Sequence, residues 1–329
     1  MHVFGSPCSN KTMLKGMMMN MNIKKVSVLG TGTMGPGIAL LCATAGLKVT
    51  IYGRSDMSLY RGFKNIESSL NFWKNEGKLS EMQCEKIIND IRGVKTIQKA
   101  AQNADLIIEC LAENIKLKQY FFKVLDEICP SNVILATCTS GLLPTDIAKY
   151  TVHPERIVVA HFWNPPQLIP LVEVVPGKKT SKETIVRTIE WVEFIGNKAI
   201  PMEKECLGFI GNRLQHALLR EALFIVEQGW ARPEEVDKAI EYGLGRRLPI
   251  TGPIRTADLA GLDVINSVSA YLLKDLCSST EPSHLLKNKV EIGELGCKSG
   301  KGFYNWPSDV LKNVQNKRGE LLLYFLENS

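Results

Sequence analysis

The chain has no long apolar run, no C-x-x-C pair and no block of charge of one sign, and each absence removes a class of protein. No stretch reaches the ~18 consecutive apolar residues of a membrane-spanning helix, so no membrane segment is expected. The nine cysteines stand at 8, 42, 84, 110, 129, 138, 206, 277 and 297, an odd number with no histidine cluster beside any of them. That pattern supports neither a zinc site nor a disulfide framework, and no bound metal is expected. Reduced thiols imply a cytoplasmic setting. The 40 Lys+Arg exceed the 34 Asp+Glu by six, and the basic residues are scattered through helix-like segments. Such a surplus attracts anionic ligands mildly and is too diffuse to argue nucleic acid. Residues 1–21, with "MLKGMMMNMN", lack the continuous apolar centre and small-residue cleavage site of a signal peptide. They are expected to be a flexible arm or the product of an upstream start, and are left out of the fold reasoning.

What is present is enough apolar material for two cores. At 329 residues the chain exceeds the size at which one core keeps growing, so two domains are expected. A hydrophobic content of 45% with 22% charged residues is that of an ordinary soluble globular protein. The run "KVSVLG" at 25–30 passes into "TMGPGIALLCATAG", with apolar residues at helical spacing, and "KVTIYG" follows at 48–53. This is a strand, helix, strand unit. A long amphipathic stretch, broken near Gly77, reads as a helical hairpin inserted next. Further strand-like runs are "ADLIIECL", "NVILATCTS", "RIVVAHF" and "LIPLVEVV". Strands alternating with helices predict an α/β, Rossmann-type doubly wound sheet over residues 22–206. From 207 to 329 the periodicity is helical, which predicts an all-helical C-terminal domain.

Gly30-Thr31-Gly32-Thr33-Met34-Gly35 is a G-x-G-x-x-G placed directly after a strand and opening a helix. The first glycine permits the tight turn, the second lets the backbone approach a pyrophosphate, and the third lets helix pack on strand. A nicotinamide dinucleotide is therefore expected across Gly30, Gly32, Thr33, Met34 and Gly35. An NAD unit usually ends its second strand in an acid that accepts from the adenosine ribose. Here that position is Gly53, followed by Arg54 and Ser55. An arginine there can meet a 2′-phosphate, while Asp56 could still reach the ribose, so NAD and NADP both stay open.

The segment "HFWNPPQLIPLVEVV" places His161 and Glu173 on neighbouring strand-like runs, with an apolar setting around the acid. A carboxylate buried there must be partnered, because desolvation without a partner costs several kcal/mol or leaves it protonated. His161 is the obvious partner. A histidine oriented by a carboxylate is also what removal of a hydroxyl proton beside a nicotinamide calls for. Ser140, at another strand end, and Asn212, at a helix start, suit either a helix cap or a catalytic role. Trp163 is read as packing.

Together "GTGTMGPGIA", "ATCTSGLLPTDIA", "RIVVAHFWNPPQLIPLVEVVPG", "GFIGNRL", "PEEVDKAIEYGLG", "GPIRTADLAGLD" and "GCKSGKGFYNW" resemble the L-3-hydroxyacyl-CoA dehydrogenase family over about residues 24–306. The resemblance implies an NAD(P)-dependent oxidation of a short-chain L-3-hydroxyacyl-CoA, such as 3-hydroxybutyryl-CoA, or its reverse. It makes His161 and Glu173 the catalytic dyad, and Ser140 and Asn212 the residues that hold the reacting oxygen. Glu113 and Asn164 fall at positions on the nicotinamide side, and Lys118 is counted among the cofactor-binding residues. A homodimer through the helical domain is also implied. Ser69 matches a CoA-contacting position in the helical hairpin, but a lysine expected further on is Glu76, with Lys74 and Lys78 beside it. "NPP" and "GLGRRLPITGP" resemble relatives that oxidise free 3-hydroxy acids, such as gulonate or carnitine, in which Arg246 or Arg247 would clamp a carboxylate. A third reading is a non-catalytic dinucleotide-binding protein.

Overall fold

A computed structural model of the chain describes residues 23–328, so the arm expected at 1–21 lies outside the described residues. One compact unit takes in residues up to 212 together with those from 318 onward, and a second holds residues 213–317. Residues 207–212 and the second half of the last helix (Ser308–Asn328) thus lie with the sheet, although their helical periodicity placed them in the C-terminal domain.

In the first unit, β1 (Lys25–Leu29), β2 (Lys48–Tyr52), β3 (Ile91–Val94), β4 (Leu106–Glu109), β5 (Ile134–Thr137), β6 (Ile157–Phe162), β7 (Leu171–Pro176) and β8 (Lys198–Pro201) form one sheet, in the order β3-β2-β1-β4-β5-β6-β7-β8. All neighbours are parallel except β6 and β7, which run antiparallel. A parallel sheet is covered on both faces, which is why its central strands read as unbroken apolar runs. Helices α1 (Gly35–Thr44), α2 (Asp56–Asn75) and α3 (Glu81–Asn89), with a later helix at Lys182–Phe194, cover one face around Ile38, Ile66, Leu70 and Trp191. Helices α4 (Ile97–Ala101) and α5 (Ile115–Ile128) cover the other around Ala100, Phe122 and Leu125.

Local chemistry sets where these helices start. Ser55 and Ser58 form a reciprocal capping box at α2, and Ser80 and Gln83 do the same at α3. Between them Gly77 takes φ 69°, the left-handed conformation that lets the chain reverse into the hairpin. Strands β3 and β8 are not evident from sequence. Each has four residues and lies at a sheet edge, so the apolar period is too short and too exposed to register.

In the second unit, most of the helix Gly211–Glu227 is followed by α6 (Pro233–Ala239), α7 (Gly245–Ala260), α8 (Leu262–Leu272) and α9 (His284–Glu291), and the strand-like features described there are isolated bridges at 296–305. Leu223 is the one buried large apolar side chain described between 213 and 317. Ile250, Ile254, Leu262 and Tyr271 are exposed. Among the described residues no helix is long and apolar enough to cross a membrane.

Candidate active site

The turn from β1 into α1 is too crowded for side chains at two of its three glycines and open at the other. Gly30 has φ 123°, and a Cβ there would stand 2.7 Å from the Cys110 carbonyl oxygen. A Cβ on Gly35 would stand 1.9 Å from the Gly30 carbonyl oxygen, so the third glycine is required for the helix to approach the strand. Gly32 faces open space with nothing within 4 Å, where a pyrophosphate can come against the backbone. Met34 precedes the helix without a side-chain cap, and Thr33 lies in the same turn.

At the end of β2, Ser55 is the N-cap of α2 and Asp56 pairs with Lys95 at 3.0 Å. Arg54 is exposed, and its side chain has no ion pair or hydrogen bond among the described residues.

His161 and Glu173 are register partners across the antiparallel β6–β7 pair, so the fold places them face to face. His161 Nδ1 lies 2.7 Å from Glu173 Oε2, with both side chains buried. Trp163 Nε1 donates to the same oxygen at 3.4 Å, so this residue does more than pack. Glu173 Oε1 accepts from the backbone N–H groups of Ile210 and Gly211, each at 2.9 Å. The turn that aims those amides holds Gly208 at φ 75° and Phe209 at φ 52°. A bulky residue in the left-handed region costs on the order of 1–3 kcal/mol, and persists where the surroundings over-determine it. Phe209 is fully buried with its ring 5.5 Å from the His161 ring. Burial by itself would raise the pKa of the Glu173 carboxyl. The His161 hydrogen bond, followed by the Gly211 amide, outweighs it and holds the group below its ordinary value.

From this dyad a hydrogen-bonded path runs outward. Asn212, next after Gly211, donates from Nδ2 to the Ser140 carbonyl oxygen at 2.6 Å. The Ser140 N–H donates to Glu113 Oε1 at 3.1 Å, and the Thr139 hydroxyl donates to the same oxygen. Glu113 Oε2 lies 3.4 Å from Lys118 Nζ. The fold therefore joins Ser140, Asn212, Glu113 and Lys118 to the His161–Glu173 pair. Lys118 is itself buried, and its ammonium donates to both oxygens of Glu109 at 2.9 Å. Its charge is thus committed to two carboxylates inside the fold. Asn164 is exposed on the loop after β6, where the Asn164–Pro165 peptide is cis.

Of the residues expected to meet substrate, those in the first unit are already engaged within it. Ser69 donates its hydroxyl to the Asn65 carbonyl oxygen and accepts from Gln167. Lys74 pairs with Glu81 at 2.7 Å, which raises its pKa. In the second unit, Arg247 is exposed, while Arg246 donates to the Glu241 carbonyl oxygen and lies over the Tyr242 ring.

Comparison with known proteins matches residues 25–206 to the NAD binding domain of 3-hydroxyacyl-CoA dehydrogenase and residues 208–306 to the C-terminal domain of the same enzymes. The chain belongs to the 3-hydroxyacyl-CoA dehydrogenase family. It carries that family's dinucleotide-binding domain and is an oxidoreductase of that type. A probable 3-hydroxybutyryl-CoA dehydrogenase of Bacillus subtilis is 37% identical over 287 residues, covering 87% of this chain and 98% of that protein. An L-carnitine dehydrogenase of Oceanobacillus iheyensis is 40% identical over 239 residues, covering 73% of this chain and 76% of that one. The crystal structure of a 5-formyl-3-hydroxy-2-methylpyridine 4-carboxylic acid 5-dehydrogenase superposes with a TM-score of 0.85 at 31% identity, covering 92% of this chain and 97% of that one.

Within this family member, Glu109 is the buried residue supporting the site that sequence reasoning missed. It is a lone acid in "LIIEC", the same signal that drew attention to Glu173, and its partner lies nine residues on in a helix. Thr137 also donates to it, at 2.7 Å. Thr139 and the Trp163 N–H carried no sequence signal, because an ordinary threonine or tryptophan near a strand end is commonplace.

Glu173→Gln keeps the shape and one carbonyl acceptor but presents no charge to four donors. We expect kcat to fall at least tenfold, toward the roughly 10⁴-fold loss seen when the orienting acid of a catalytic triad is neutralised. A full rate with an unchanged pH profile removes Glu173 from the mechanism. The same group contributes to stability. Because its folded-state pKa is lowered, its contribution is present above the ordinary value of 4.5 and is lost as pH falls through the lowered one. Acid unfolding of Glu173→Gln is therefore expected to begin from lower stability and to be less steep with pH.

Proposed function

We propose that this protein oxidises the hydroxyl of a short-chain L-3-hydroxyacyl-CoA to the 3-ketoacyl thioester, or reduces the ketone, with His161 as the base or acid. The single observation that carries this reading is the buried 2.7 Å contact between His161 and Glu173 at the end of the family's NAD-binding sheet. A dinucleotide would be held across Gly30, Gly32 and Gly35 and would supply the hydride acceptor or donor.

The protein's own groups then have distinct tasks. Glu173 accepts from Nδ1, which leaves Nε2 of the neutral ring free to take the substrate hydroxyl proton. The imidazolium that forms faces a carboxylate already held ionised by its other donors. Asn212 and Ser140, joined at 2.6 Å, provide polar groups for the reacting oxygen. In the reverse direction the imidazolium returns its proton to the same oxygen.

Two observations favour a second reading, a free hydroxy acid as substrate. Lys74, near the expected CoA contact, is occupied by Glu81. The superposition with a dehydrogenase of a pyridine carboxylic acid is also close over nearly the whole chain. Reduced-nicotinamide absorbance followed with acetoacetyl-CoA and with free 3-hydroxy acids such as carnitine and gulonate separates the two readings. Thioester turnover supports the first, and turnover of free acids alone replaces it with the second. No turnover of either kind overturns both.

The exposed apolar side chains of the second unit need cover, and we propose a second copy of this chain as the cover. Large apolar side chains exposed in this number on one helical unit, Ile250, Ile254, Leu262 and Tyr271 among them, are what an interface would cover. Light scattering is expected to give twice the chain mass, whereas a monomer at micromolar concentration refutes the proposal.

A further inference from the structure

We infer that the corner at the end of β2 is a 2′-phosphate site, so that the protein binds NADP(H) more tightly than NAD(H). The inference rests on the dinucleotide lying across Gly30–Gly35, as the proposed function requires.

In a dinucleotide unit of this kind the residue ending the second strand discriminates. An acid there accepts from the ribose 2′-hydroxyl and repels a phosphate on that oxygen. Here the position is Gly53, and the structure leaves no room for an acid. A Cβ on Gly53 would stand 2.7 Å from Ser58 Oγ and 3.0 Å from Leu59 Cγ. Ser58 cannot easily give way, because its hydroxyl donates to the Ser55 carbonyl oxygen at 2.8 Å and accepts from the Ser55 N–H at 3.1 Å. The next carboxylate along the chain, Asp56, already faces Lys95.

The charge balance of the corner points the same way. Gly53 N–H donates to the Val94 carbonyl oxygen at 3.0 Å, which brings the end of β3, and with it Lys95, alongside the end of β2. Two cations, Arg54 and Lys95, therefore stand against the single acid Asp56. The Arg54 side chain makes no bond within the fold among the described residues, so binding a ligand costs it no existing partner. A guanidinium presents paired N–H donors in the geometry of a phosphate, and such charge-assisted bonds are the strong ones. An arginine so placed has little to offer a plain ribose, which lacks the matching charge.

The test is equilibrium binding, by quenching of tryptophan fluorescence, of NADPH and NADH to the whole protein. It is repeated with adenosine 2′,5′-bisphosphate against 5′-AMP, so that no turnover is involved. NADPH is expected to bind about tenfold or more tightly than NADH, with the same ratio for the two nucleotide fragments. Arg54→Gln is expected to remove most of that ratio while leaving NADH affinity within about twofold and the melting temperature unchanged. Lys95→Met is expected to reduce it by a smaller factor. Equal affinities in the unmodified protein, or an Arg54→Gln variant that loses NADH as much as NADPH, overturn the inference while the dinucleotide site stands. Failure of both dinucleotides to bind overturns the site and the inference together.

Discussion

Replacing His161 by alanine is expected to lower kcat by about 10²- to 10⁴-fold, the share of catalysis that a positioned acid-base group contributes. The expectation follows from the single role open to the ring. With Nδ1 held 2.7 Å from Glu173, Nε2 is the position able to exchange a proton with a substrate. Alanine removes that position and leaves the dinucleotide turn untouched, so cofactor affinity should stay within about twofold while turnover collapses. Measurement of kcat with the preferred substrate, alongside cofactor binding by fluorescence, checks both halves. A variant that keeps full turnover sinks the mechanism. Loss of cofactor binding in step with turnover would show that His161 holds the fold of the cleft instead of the proton.

Replacing Lys118 by methionine is expected to be the most destabilising of the substitutions considered. The ammonium is 1% exposed and its partner Glu109 is completely buried. Removing one member of such a pair strands the other charge in a medium where it cannot be solvated, at a cost of about 3–5 kcal/mol. In a domain of this size that lowers Tm by on the order of 10 °C. Methionine fills nearly the same volume, so lost packing contributes little. The double variant Lys118→Met with Glu109→Gln should recover most of the loss, because no charge is left buried, the amide oxygen still accepts from the Leu111 N–H, and the Thr137 hydroxyl can turn to accept from the amide NH2. Thermal unfolding of both variants decides it. A single variant as stable as the unmodified protein shows that Glu109 takes up a proton at no great cost. Glu113 and the Thr139–Ser140 loop hang on the same lysine, so the single variant should also lose turnover beyond what its residual folded fraction explains.

Much of this protein is written in local pattern. The glycine spacing after "KVSVL" has one physical use, and the structure places Gly30, Gly32 and Gly35 accordingly. The break at Gly77 and the caps at Ser55 and Ser80 are likewise local events decided within four residues. Glu173 was legible because an acid in an apolar strand demands a partner, and Glu109 answers to the same rule. Whether a particular lysine, serine or arginine is free was not legible. Lys74 is taken by Glu81 across a hairpin, and Ser69 is bonded to a glutamine 98 residues away.

The sequence alone determined the alternation of strand and helix, the dinucleotide turn and the need of the acid in "LVEVV" for a partner, because each depends on neighbours or on a burial rule that holds wherever the chain goes. Tertiary structure alone decided which groups share a hydrogen bond. The antiparallel register brings His161 opposite Glu173, and a left-handed turn at Phe209 points two amides at the same acid. The crowding around Gly53 excludes a carboxylate beside Arg54. Those outcomes depend on distances between segments far apart in the chain, which no local pattern encodes.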